Sequence, residues 1–240
     1  MRDFTYKTYE LLLRTILKKG YKIYTVQEYL ENASKRRVVI LRHDVDRSLN
    51  NALDLAKIEY KLGIRSTYYF RTSTFKLSVV KEIAKMGHEI GYHYETLFKA
   101  KGNYEKAIII FENELKYMRK YFQIKTICAH GNIFMKGINY DLWKKYDFKR
   151  YDIIGEAYLS LAKKSDTIIS LSDTGRRWNL FNNTFKLINN LNKNTKNYYL
   201  LVHPDKWSNN WFLWAKLLFL QSFRNIIKKI IIFAKNYIIQ

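Results

Sequence analysis

The stretch VVILRHDVDRS, residues 38–48, sets four apolar residues, Val38-Val39-Ile40-Leu41, ahead of Arg42, His43, Asp44 and Asp46. A short aliphatic run without polar alternation reads as a strand covered on both faces. The acids grouped at its end read either as an ordinary charged turn or as a site for a metal ion. Similar runs recur at 67–70, 89–92, 126–129, 152–155, 167–171 and 198–202. The segments between them change to helical period. Leu49, Leu53, Ala56 and Tyr60 share one face that stops at Gly63; Val80, Ile83 and Ala84 share another that stops at Gly87; Ile108, Phe111, Leu115, Met118 and Phe122 step by three and four. Short strands alternating with amphipathic helices predict an α/β fold with a parallel sheet, a TIM-like (β/α) barrel of seven strands. Residues 1–35 read as helical, broken by a stop at Gly20.

The chain has 240 residues, one proline, nine glycines and 48% hydrophobic residues. These values fit one folded domain over residues 1–207 and exclude a disordered chain. Cys128 is the only cysteine, which excludes an intramolecular disulfide and a cysteine zinc cluster. The opening MRDFTYKTYE lacks the apolar core of a signal peptide, so a cytoplasmic location is expected. The net charge of +22 invites a nucleic-acid reading, but the lysines are scattered over every expected helix and no recognition motif accompanies them. No specific nucleic-acid partner is therefore expected.

Residues 208–240 form a basic amphipathic segment. On a helix, Phe219, Leu220, Phe223, Ile226, Ile227, Ile230, Ala234, Tyr237 and Ile238 gather on one side, while Lys216, Arg224, Lys228 and Lys235 lie elsewhere. Such a helix suits contact with an anionic membrane surface, here the inner face of the membrane. Its first part is equally suited to closing the barrel.

The chemistry lies at the strand ends. Asp44 and Asp46 follow the first strand, His93 and Glu95 the third, His130 the fourth, Glu156 the fifth, Asp173 the sixth and His203 the seventh. In a parallel barrel these are all C-terminal ends, the face on which such barrels build active sites. Loops are polar in any case, so each residue alone says little, and convergence from separate strands carries the reading. Asp44 and Asp46 are two apart, which on extended backbone sends both carboxylates to one side. One can bind a divalent ion while the other takes a proton from water; His93 can add an imidazole ligand, and His203 can protonate a leaving amine.

These residues resemble the polysaccharide deacetylase family. GHEIGYHYET, residues 87–96, matches a family motif of the form G-H-E-I-G-x-H-T-x-S-H; LRHDVD looks like its first motif; CAHGN, SDTGRRW and LLVHPDKW follow in family order over about residues 36–207. The resemblance implies a distorted seven-stranded (β/α) barrel that removes N-acetyl groups from a carbohydrate with a divalent metal ion, zinc being the expected one. It assigns Asp44 as catalytic base, Asp46 and His93 as metal ligands, and His203 as catalytic acid. One position departs: the family's second metal histidine lies four residues after the first, where this chain has Leu97. His130 or Glu95 then completes the ligand set, His130 being favoured for its chemistry, and Arg176 or Arg42 stands in for the family's substrate-side arginine. Asp173 either orients a catalytic histidine or caps its turn. Trp178 and Trp207 either stack on a sugar or pack in the core, His43 either supports the ligands or faces the helices, and His88 is structural. The alternative is a glycan-binding protein on the same fold, without metal or catalysis.

Overall fold

Val38–Val45 is a strand buried at all eight residues, so it runs four residues beyond the apolar run and includes Arg42, His43 and Asp44. The computed structural model describes residues 2–32, 37–131, 139–162, 168–191 and 196–223. Its strands are β1 (Lys22–Tyr24), β2 (Val38–Val45), β3 (Thr67–Phe70), β4 (Glu89–Tyr94), β5 (Thr126–Ala129), β6 (Gly155–Glu156), β7 (Ile168–Ser172) and β8 (Asn197–Val202). The helices are α1 (Tyr6–Lys18), α2 (Val26–Asn32), α3 (Leu49–Lys61), α4 (Leu77–Lys85), α5 (Thr96–Lys99), α6 (Tyr104–Arg119), α7 (Leu159–Ala162), α8 (Thr184–Leu191) and α9 over 211–223.

All strand pairings among the described residues are parallel, in the order β6-β5-β4-β3-β2-β8-β7 with β1 beside β2. The result is a distorted (β/α) barrel of seven curled strands, as expected, with no pairing between β6 and β7 among the described residues. The helical reading of residues 1–35 is corrected by β1. This three-residue strand pairs Lys22–Tyr24 with Val38–Ile40 on β2, whereas β3 pairs only from Arg42 onward. It satisfies backbone groups that β3 leaves open, and three residues are too few to display a period. The strand expected at 152–155 reduces to Gly155–Glu156, because Asp152 turns into the left-handed region, φ 53°, after a 3₁₀ turn. Thr167 lies outside the described residues.

The strand period sorts β2 into two faces. Val39 and Leu41 join Tyr9, Leu12, Leu13, Leu187 and Trp207 in the layer between sheet and helices. Val38 and Ile40 join Tyr69, Cys128 and Tyr199 inside the barrel. Arg42, Asp44 and Asp46 continue the inner row towards the C-terminal end. On β4 the inner row is Glu89, Gly91 and His93. A side chain at Gly91 would place its Cβ 2.3 Å from the Tyr69 ring, so the barrel is filled at this level by tyrosine and only glycine fits beside it. The filled floor leaves the polar residues at one end of the barrel.

Candidate metal and catalytic site

Three ligand atoms converge above that floor. Asp46 Oδ1 lies 3.0 Å from His130 Nδ1 and 3.3 Å from His93 Nε2, and the two ring nitrogens are 3.2 Å apart. Three strand ends on the same side of the sheet bring them together: Asp46 follows β2 directly, β4 carries His93, and the His130 amide donates to the Tyr94 carbonyl oxygen at 2.8 Å as β5 ends. His93 Nδ1 is 3.0 Å from the Cys128 carbonyl oxygen, an acceptor that fixes the proton on Nδ1 and leaves the Nε2 lone pair facing the cluster.

The triangle fits a divalent ion. Bonds of about 2.0–2.1 Å to a tetrahedral centre set its ligands about 3.3 Å apart, close to the three distances here. Asp46 Oδ1 is buried yet makes no hydrogen bond, despite its nearness to both rings. An acceptor held in contact with two ring nitrogens without bonding to either suits a shared cation better than a shared proton. Burial opposes the charge on Asp46, but the adjacent His130 and His93 rings hold its carboxyl far below the usual range. His93 is pushed up despite its burial by the Asp44 and Asp46 carboxylates. A local field this negative favours a cation at the centre.

Asp44 stands beside this cluster, 2% exposed, with Oδ2 3.7 Å from His93 Nε2. Beneath it lies Arg42, fully buried. Its guanidinium approaches Asp44 Oδ2 at 3.4 Å, donates to Cys128 Sγ at 2.9 Å and rests on the Tyr158 ring at 4.4 Å. Burial works against the Arg42 charge, but the Asp44 carboxylate, together with Cys128, Tyr199 and Tyr158, outweighs it, so Arg42 stays ionised. The strand period points residues 42 and 44 the same way and brings the cation under the carboxylate.

His203 enters from β8. Its Nδ1 is 2.6 Å from Asp173 Oδ1, and the Asp173 carboxylate also accepts the His203 amide and the Trp207 indole N–H at 2.8 Å. Burial favours the neutral ring, but the Asp173 carboxylate prevails, aided by Asp44 and Asp46, and raises His203 to about 9. With Nδ1 engaged, Nε2 is the nitrogen left for a substrate. Asp173 thus both holds the histidine and closes the turn in SDTG, where its carbonyl accepts the Arg176 amide at 2.9 Å.

The remaining sequence candidates lie apart from the cluster. Glu95 accepts from Arg71 at 2.6 Å and lies 3.4 Å from Lys99, so it makes a rim ion pair. Arg176 is turned away from the site: it donates to the Trp214 carbonyl at 2.7 Å and lies over the Trp214 ring. Of the two substitute arginines, only Arg42 is in the barrel. Trp207 is fully buried under Asp173, and Trp178 is buried with its N–H on Thr184, so neither presents a face to a sugar. Glu156 caps α7 through the amides of Tyr158 and Leu159. Leu97 is buried in the apolar layer outside the sheet.

His43 faces the helices. It stacks on Tyr68 at 4.1 Å and pairs with the buried Glu59 at 3.0 Å, in a network with Tyr9, Ser66 and His88. The network and the Arg42–Cys128 contact were missed from sequence. The alternation of residues 42–46 was the available signal, because it separates His43 from its two acidic neighbours.

No family model and no curated protein matches this chain. Among solved structures, a Streptococcus mutans CE4 esterase is similar at 13% identity over 88% of this chain and 90% of that one, with a TM-score of 0.47.

Proposed function

We propose that the chain is a metal-dependent hydrolase that removes an N-acetyl or similar acyl group from an amino sugar. The observation that carries this reading is the convergence of Asp46 Oδ1, His93 Nε2 and His130 Nδ1 within 3.0–3.3 Å of one another, with Asp44 beside them. The carbohydrate class comes from the motif resemblance over residues 36–207. Asp46, His93 and His130 would hold the ion, with zinc favoured by the mixed imidazole and carboxylate set. When bound, it supplies Lewis acidity to the amide carbonyl and lowers the pKa of water.

The chain's own residues do the rest. Asp44 accepts the proton of the attacking water, and Arg42 beneath it holds the carboxylate in place. Cys128 Sγ, which accepts from Arg42 and lies 3.8 Å from Asp44 Oδ1, keeps the guanidinium beside the carboxylate. His203, protonated at neutral pH and clamped through Nδ1, donates from Nε2 to the departing nitrogen. Asp173 fixes the ring's orientation and stabilises its charge. His130, from the strand next to β4, takes the ligand place that Leu97 cannot fill, and it makes the glycan-binding alternative the weaker reading.

Isothermal titration of the chelator-treated protein with zinc, followed by acetate release from N-acetylglucosamine oligomers, tests this. One ion per chain and metal-dependent acetate release are expected. Absence of zinc, cobalt and manganese binding by a folded protein would refute the reading.

A further inference from the structure

Helix α9, residues 211–223, leaves the barrel with its apolar side chains uncovered. Phe212 is 80% exposed, Phe219 73% and Phe223 56%. They fall at spacings of seven and four, so the three rings form one row along the helix, and Lys216, expected elsewhere from the sequence, stands within that row because it is four residues from Phe212 and three from Phe219. Isolated exposed apolar residues are ordinary, but a row of phenylalanines on one helix face marks a contact surface.

The base of the helix is firmly tied. The Trp214 indole donates to the Asp3 carbonyl at 2.7 Å, its own carbonyl accepts from Arg176, and the Tyr6 amide donates to Asn209 at 3.0 Å. Arg2 and Arg176 both lie against the Trp214 ring. The helix is thus presented in a set direction while its outer face stays bare. No described helix is long and apolar enough to cross a membrane.

Charge identifies the occupant. From Ser208 onward the chain carries Lys216, Arg224, Lys228, Lys229 and Lys235 and no acidic residue, in a chain of net charge +22. A second copy would bring the same positive charge to the contact, with no carboxylate on either tail to answer it. An anionic lipid surface supplies both requirements, hydrocarbon for the phenylalanines and phosphate for Lys216, which lies in the same row, and for the basic residues that follow in the sequence. We propose that α9 docks this protein on the surface of an anionic bilayer through Phe212, Phe219 and Phe223. Phe4 links the helix base to the catalytic end: Arg176 lies over its ring, and the ring packs on Trp207, which holds Asp173.

The test is sedimentation of the full chain with phosphatidylglycerol/phosphatidylcholine vesicles and with pure phosphatidylcholine vesicles, beside a triple variant F212E/F219E/F223E whose fold is checked by circular dichroism. The wild type is expected to pellet with anionic vesicles only, and the variant to lose at least tenfold in partitioning. A wild type left in the supernatant with anionic vesicles at low salt would overturn the proposal. So would equal pelleting of the two proteins, which would assign binding to charge elsewhere on the chain. A lipid-free dimer of the wild type that the triple variant abolishes would assign the face to a second copy instead. If the triple variant is unfolded, the single change F219E replaces it under the same criteria. None of these outcomes depends on hydrolytic activity.

Discussion

Replacement of Asp173 by asparagine preserves shape and removes one charge, and its consequence can be worked through. In the native site His203 titrates at about 9, against an ordinary 6.5, mainly through the carboxylate 2.6 Å from Nδ1. Loss of that carboxylate returns the ring towards 6.5, a change of about 3 kcal/mol in favour of the neutral form. At pH 8 the protonated fraction falls from about nine-tenths to about one-thirtieth, so an acid-dependent kcat/KM falls about thirtyfold. At pH 6 both proteins hold a largely protonated ring, and the difference shrinks to about 1.3-fold. A bound divalent ion lowers both profiles together, so the separation between them is the quantity to measure. The assay is kcat/KM against pH on an N-acetylated sugar oligomer, paired with an NMR titration of the His203 ring. An alkaline limb at the same pH in both proteins, or a ring still titrating near 9 in the variant, refutes the argument. The asparagine also faces three donors with a single acceptor oxygen, so a stability loss of about 1–3 kcal/mol accompanies the change.

Three further outcomes are expected. His130→Leu and Asp46→Ala should each weaken zinc binding by more than about a hundredfold in calorimetry, since loss of outer-shell partners alone costs about 10–100-fold; the circular dichroism spectra should stay native. Arg42→Met leaves the buried Asp44 without its cation and should cost about 3–5 kcal/mol in urea unfolding, part of which the double variant R42M/D44N recovers because no charge then stays buried; additive losses would contradict this pairing. Burial alone would raise Glu59, but the His43 and His88 rings and the Ser66 hydroxyl outweigh it and hold the folded-state value at about 2, below the ordinary 4.5. A lowered carboxylate stabilises the fold above pH 4.5 and loses that contribution as pH falls towards 2. The gap between wild type and Glu59→Gln should therefore be full at pH 6 and close progressively below pH 4.5 in urea melts; a gap independent of pH would sink it.

The legible part of the fold is the part with a period. Residues 38–41, 67–70 and 126–129 are short apolar runs buried on both faces, and the helices between them carry their stripes openly, so the parallel barrel follows from pattern alone. β1 has three residues and owes its existence to the stretch of β2 that β3 does not cover. β6 shrank because Asp152 turns left-handed, which a strand propensity does not register. The polar half of β2 was concealed for a different reason: Arg42, His43 and Asp44 look like a turn until the barrel interior supplies each with a partner.

The candidate site divides in the same way. Sequence by itself determined which residue types stand at strand ends, and hence that carboxylates and imidazoles would share the C-terminal face, because in a parallel sheet every strand ends on the same side. Tertiary structure decided which of them meet. Alternation along β2 sends Asp44 and Asp46 inward and His43 outward to Glu59, and the β4–β5 register sets His130 beside His93 while Glu95 closes on Arg71 at the rim. Arg42 and Arg176 are equivalent as letters, but one lies beneath Asp44 and the other against Trp214. Distances of about 3 Å between residues 84 or more positions apart in the chain, such as Asp46 and His130, depend on how neighbouring strands curl, and no local period encodes that curl.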